Sequence, residues 1–173
     1  MSALRAGISL AFFFLLFGIQ ESAISLIHFP VAGFSLYLAV AIALIAFEDG
    51  NAAIITGFIA GFVLDLSPTS NGPFGQWALI LTLVGYIFTS NRESIADLTS
   101  SPLTFVLFVT FGVSIALVTY ILFGTLLGEH NGSLSRDFYI VLANAFWTLI
   151  FTPIFLPALS KLRKLTLTSK ERM

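Results

Sequence analysis

"GFIAGFVLDLSPTSNGPFGQWAL", residues Gly57 to Leu79, holds one charged side chain, Asp65, between an apolar run and a proline-bearing polar turn. If the runs on either side are buried in a soluble core, Asp65 is an anomaly. If they are membrane spans, the stretch is a helical hairpin with its polar turn at a bilayer surface. The rest of the chain decides between these readings. Of 173 residues, 57% are hydrophobic and only 10% are charged. One core of this size cannot hide that much apolar surface from water. Lipid is the natural solvent, and an all-α integral membrane protein is expected.

Composition also removes several functions. The net charge of −1 gives no basic field to hold nucleic acid. The absence of cysteine excludes disulfides, thiolate metal sites and a cysteine nucleophile. His28 and His130 lie far apart in predicted loops, so no metal site and no cofactor are expected.

Six apolar stretches are legible: Ala6–Ile27, Val31–Phe47, Ala52–Leu66, Phe74–Thr89, Pro102–Leu127 and Phe138–Leu159. A helix crossing a bilayer needs about 20 residues. The first, fifth and sixth satisfy this directly. The three short ones fit if their turns dip into the interface or the membrane thins locally. "EDGN", "SPTSNGP" and "SNRESIADLTSS" are turn chemistry between spans. No alternating ten-residue pattern of a β-barrel appears. The first span resembles a secretory signal, but "GIQESAIS" has no convincing small-x-small cleavage site, so a retained helix is expected.

Basic residues set the orientation. With six spans, Arg5, Arg92, Lys161, Arg163, Lys164, Lys170 and Arg172 share one side, and Arg136 alone occupies the other. The positive-inside rule makes the first side cytoplasmic. The expected organisation is a transmembrane domain over residues 1–160 with both termini cytoplasmic, then a short basic tail over 161–173 facing anionic lipid.

Asp65 then falls at the outer end of the third span. Its ordinary reading is an interfacial carboxylate that ends a helix and bonds the amides of the turn. An acidic residue at the edge of a span is also a functional-site candidate by default. On the structural reading Asp65 fixes the turn, asparagine is tolerated there, and the turn presents a protein-binding surface with Gln76 and Trp77. Gly57 and Gly61 put two hydrogens on one helix face, where a neighbouring helix can approach closely. Glu21 falls in the outer part of the first span, at a depth similar to Asp65. It is either a snorkelling interfacial residue or part of a site.

The pattern resembles the rod shape-determining protein MreD family. Gly57, Phe58, Gly61, Asp65, Pro68, Gly75, Ala78, Leu79, Gly85 and Tyr86 carry the resemblance, over about thirty residues. The length, Gln20 late in the first span and the basic tail agree with it. Many family members carry "PD" ahead of the second span, whereas here Pro30 is followed by Val31, so the role of that aspartate does not transfer.

The resemblance implies a six-helix bundle like the substrate-binding S-components of energy-coupling-factor vitamin transporters. It implies a non-enzymatic scaffold in the bacterial cytoplasmic (inner) membrane. Its partners would be an MreC-type protein, with MreB and a peptidoglycan synthase pair in the same assembly, and there is room for a homodimer. The rival function is a transporter subunit binding a vitamin-sized solute among Glu21, Asp65, Asn71, Gln76 and Trp77. An intramembrane aspartyl hydrolase needs two facing carboxylates, but Asp49, Asp97 and Asp137 fall in loops, and no "HExxH" or "GxSxG" occurs.

Overall fold

The computed structural model describes residues 3–24, 35–48, 50–67, 72–93, 95, 101–128 and 133–166. Six α-helices lie among them: α1 (Ala3–Ile19), α2 (Leu36–Phe47), α3 (Asn51–Asp65), α4 (Gln76–Ser90), α5 (Pro102–Leu126) and α6 (Leu134–Thr166). A π-helical turn, Gln20–Ile24, continues α1. No strand occurs among the described residues. The expected boundaries of the third, fourth and fifth stretches are met within a residue or two. The sixth stretch is longer than expected at both ends, so the first residues of the basic tail are helical.

The shortest helix is the centre of the bundle. α2 reads "LYLAVAIALIAF", apolar on every face, which is the signature of a helix enclosed on all sides. Tyr37 to Ala43, Ile45 and Ala46 are all buried, and α2 touches each of the other five helices. Its alanines at 39, 41, 43 and 46 keep the helix slim enough for that. Tyr37, wholly buried among Phe13 and Phe17, places its hydroxyl on the Ala60 carbonyl of α3 at 2.8 Å.

α3 and α4 form the tightest pair, an antiparallel hairpin. A Cβ on Gly57 would strike the Leu81 carbonyl, and one on Gly61 would strike Trp77 O and Ala78 Cα. A Cβ on Gly85 would lie 2.6 Å from the Ala53 carbonyl. The contact repeats once per turn along both helices, backbone against backbone, and only glycine permits it at these positions. The "GFIAG" face therefore packs on α4.

Hydrogen bonds fix the direction of every helix. At one end Arg5 of α1 pairs with Glu48, after α2, at 2.5 Å. Arg92, beyond α4, donates to the Ala46 and Glu48 carbonyls at 3.1 and 2.9 Å, and Thr89 donates to Gly50 O. A guanidinium on the last carbonyls of α2 neutralises the negative end of that helix. The rings of Phe47 and Phe105 stack beside them, which places the start of α5 at the same end. At the opposite end Ser35 N donates to Asn144 Oδ1 of α6 at 2.9 Å, and Tyr37 N to Gln20 Oε1 at 3.2 Å. The helices thus alternate in direction, and the start of α1 and the finish of α6 share the Arg5 end.

α5 opens with Pro102 in its first turn, where no intrahelical amide is needed, and stops before Gly128 at φ +88°, the left-handed conformation that ends helices. α6 runs through Pro153 and Pro157. Within these helices, Pro102–Leu126 and Ser135–Leu159 are each long and apolar enough to cross a membrane, and most of their residues are unburied. Large apolar side chains face outward on every helix except α2, among them Leu15, Phe58, Leu83, Phe111 and Ile154.

Candidate functional site

Asp65 is the last residue of α3 and is only 8% exposed. Its carboxylate accepts from Trp77 N through Oδ1 at 3.0 Å and from Ala78 N through Oδ2 at 2.9 Å. These are first-turn amides of α4, which have no partner within their own helix. The residue placed to cap them locally is Gly75, at φ +96°, which has no side chain to offer. Asp65 is therefore an N-cap supplied by the neighbouring helix, with its negative charge on the positive end of the α4 dipole. This corrects the expectation that it bonds the amides of the turn. The hairpin closes on α4 itself, because the glycine seam brings α3 within reach of that backbone.

The same geometry assigns the other motif residues. Gly57 and Gly61 are the seam. Gly75 makes the left-handed entry into α4. Gln76 is buried and donates from Nε2 to the Tyr120 carbonyl of α5 at 2.7 Å. Trp77 stacks on the Tyr120 ring with centroids 4.4 Å apart and planes 12° off parallel. Gln76 cannot then belong to an outward binding surface as the sequence reading had it. It is spent tying α4 to α5. Its Oε1 is buried and makes no hydrogen bond, next to Gly72 and the Tyr120 hydroxyl. Pro68 and Asn71 lie outside the described residues, as do His28, His130 and the tail from 167 onward. Glu21 is half-buried on the π turn, at the same end of the bundle as Asp65.

Sequence reasoning missed Tyr120, Ser35 and Asn144, and used Gln20 only as a point of resemblance. For Asn144 a signal was present. Asn144 sits within the apolar run "VLANAFW", and a buried amide there must find partners. It accepts from Ser35 N and donates to Ile140 O. Ser35 Oγ in turn accepts from Leu38 N. The first turn of α2 is thus capped from α1, from α6 and from its own Ser35, as α4 is capped from α3.

No group of three or more His, Asp or Glu that could hold a metal occurs among the described residues. The hydrogen bonds described at this end, made by amides and the Asp65 carboxylate, are all directed inward. Comparison with family models, curated proteins and solved structures finds no match to this chain.

Proposed function

We propose that the chain is a six-span scaffold of the bacterial cytoplasmic membrane, of the MreD type, that holds an MreC-type partner and so supports lateral wall synthesis and cell shape. The observation that carries this reading is the use made of the motif. Gly57, Gly61, Asp65, Gly75, Gln76 and Gly85 are all consumed in building the α3–α4 hairpin and fastening it to α5. A solute carrier would need Asp65 and Gln76 turned toward a ligand. Here both carboxylate oxygens accept from backbone amides of α4, and the Gln76 amide nitrogen donates to a carbonyl.

Several observations support the membrane part of the proposal. The bundle exposes large apolar side chains on five of its helices, with two helices long enough to span unaided. The helices alternate in direction, so Arg5 and Arg92 share an end with the finish of α6. That is the sidedness the positive-inside rule requires of a cytoplasmic face.

The test is affinity purification of the tagged chain from native membranes in mild detergent, with rod shape scored in the same cells. The scaffold reading expects an MreC-type protein to co-purify, and expects both partner and shape to be lost when the hairpin is disrupted. Recovery of a transporter energising module or a bound vitamin, without that partner, would replace it with the carrier reading.

A further inference from the structure

The apolar girdle of this bundle has unequal heights, and the difference can be measured against internal landmarks. On the Arg5 side, Phe47 stacks on Phe105 at 4.7 Å and Phe88 lies against Phe108 at 4.9 Å. On the Asp65 side, Trp77 stacks on Tyr120 at 4.4 Å. α4 therefore starts level with Tyr120, whereas α5 continues to Leu126, about 9 Å further at 1.5 Å per residue. Leu122, Leu126 and Leu127 on this projection are strongly exposed, so it extends the apolar surface. From Leu103 to Leu127 the α5 face spans about 36 Å, while the helices of the α3–α4 face span about 22 Å. The hydrocarbon core of a typical bilayer is about 30 Å thick.

The short face ends in Ser67, Gly72 and Pro73, with Thr69, Ser70 and Asn71 between them in sequence. Irregular polar backbone is not stable in hydrocarbon facing lipid. A full-thickness bilayer against this face would submerge the non-helical backbone of Ser67, Gly72 and Pro73. The same face carries a lateral groove of about 700 Å³ lined by Ile54, Phe58, Ala78, Leu79, Leu83 and Tyr86, with Thr82 also on it. The Thr82 hydroxyl is already donated to the Ala78 carbonyl. No charged side chain lines the groove, so its chemistry matches hydrocarbon.

We propose that the α3–α4 face thins the outer leaflet and that lipid acyl chains occupy its groove. The inference rests on the six-span reading and goes beyond the scaffold function. It makes this side of the protein a place where the bilayer surface descends by several ångströms to the turn. Mismatch of this kind is accommodated by thinning at a modest cost per ångström.

The chain lacks cysteine, so single spin labels can be placed without background. Phe74→Cys, Leu126→Cys, Leu83→Cys and Phe111→Cys are all at exposed positions. Leu66→Cys serves as a second probe of the turn, because Phe74 also packs on Phe62. Depth is read in dioleoylphosphatidylcholine vesicles from collisions with oxygen and with a water-soluble nickel chelate. The expected result is a Phe111 label deep in hydrocarbon, Phe74 and Leu126 labels both at the lipid surface, and a Leu83 label open to oxygen. Phe74 and Leu66 labels about 9 Å deeper than the Leu126 label would overturn the thinning alone. A Leu83 label shielded from both reagents would mean a second chain covers the groove, which overturns lipid as its occupant. A Phe111 label in water would remove the six-span reading, and this inference with it.

Discussion

Replacing Asp65 tests the central contact of the fold, and the two-oxygen geometry sets a definite order. In Asp65→Leu both acceptors vanish, and the amides of Trp77 and Ala78 are left in a site that is only 8% exposed. An unsatisfied buried amide costs about 1–3 kcal/mol, and loss of the charge at the helix terminus adds up to about 2 kcal/mol. Fraying of the first turn of α4 lets those amides find other partners and limits the total, so about 3–5 kcal/mol is expected. In Asp65→Asn one oxygen still accepts, but the side-chain NH2 faces a backbone N–H, donor against donor. The expected loss is about 1.5–3 kcal/mol, so asparagine is not the mild substitution the sequence alone implies. For a chain of this length about 2–4 °C of melting temperature follows each kcal/mol. Thermal unfolding in detergent, followed by tryptophan fluorescence, should rank Asp above Asn above Leu. Asn matching Asp, or Leu matching Asn, would refute two-amide capping. If both variants keep full stability but lose the partner, the carboxylate acts in function and not in capping.

The glycine seam predicts opposite signs for one chemical change. Gly61→Ala drives a methyl into the Trp77 carbonyl and should cost about 1–3 kcal/mol, whereas Gly18→Ala meets nothing within 4 Å and should gain up to about 1 kcal/mol, both read by thermal unfolding. Tyr37→Phe deletes the bond to the Ala60 carbonyl with little change of shape and should cost about 0.5–1.5 kcal/mol in the same assay. Ser133→Cys should react with an impermeant thiol reagent added outside intact cells and Asn91→Cys should not, and labelling of Asn91→Cys from outside would reverse the proposed topology.

The helical pattern was legible because turn chemistry is local. "EDGN", "SPTSNGP" and "SNRESIADLTSS" punctuate the chain, and the end of α2, both ends of α3 and α4, and the start of α5 lie close to them. The role of α2 was not legible in the same way. An apolar run shows no preferred face, and "LYLAVAIALIAF" reads equally as a short span or a buried centre until its five neighbours are placed. The glycines of "GFIAG" announced a close approach but not to which helix, since spacing on one helix does not name its partner. Asp65 announced capping, and its true acceptor role lay beyond the turn at Trp77 and Ala78. Only the antiparallel register of α3 on α4 brings those amides to it.

The two ends of the bundle are held by different physics, and this bears on where a partner can be held rigidly. At the Arg5 end the ties include two long guanidinium side chains, with the Arg5 and Glu48 side chains each 14% exposed, and the Thr89 hydroxyl on Gly50 O. Charges this enclosed are little screened, and either one left without its partner is costly to bury, so this end depends on charge pairing. At the opposite end the ties are short polar groups on helix amides: Asp65 on α4, and Gln20, Ser35 and Asn144 around the start of α2. Three of these four come from a helix other than the one they cap. The first turn of α2 or α4 therefore cannot be satisfied until its neighbours have packed, which makes capping and packing one cooperative event. The π turn fits this account, because the extra residue in its turn changes the direction in which Gln20 points compared with a regular helix. On the proposed scaffold reading, the outer end is the surface whose geometry the whole bundle enforces. A partner that must be held in a fixed orientation is served there, because the starts of α2 and α4 are satisfied only when their neighbouring helices are in place.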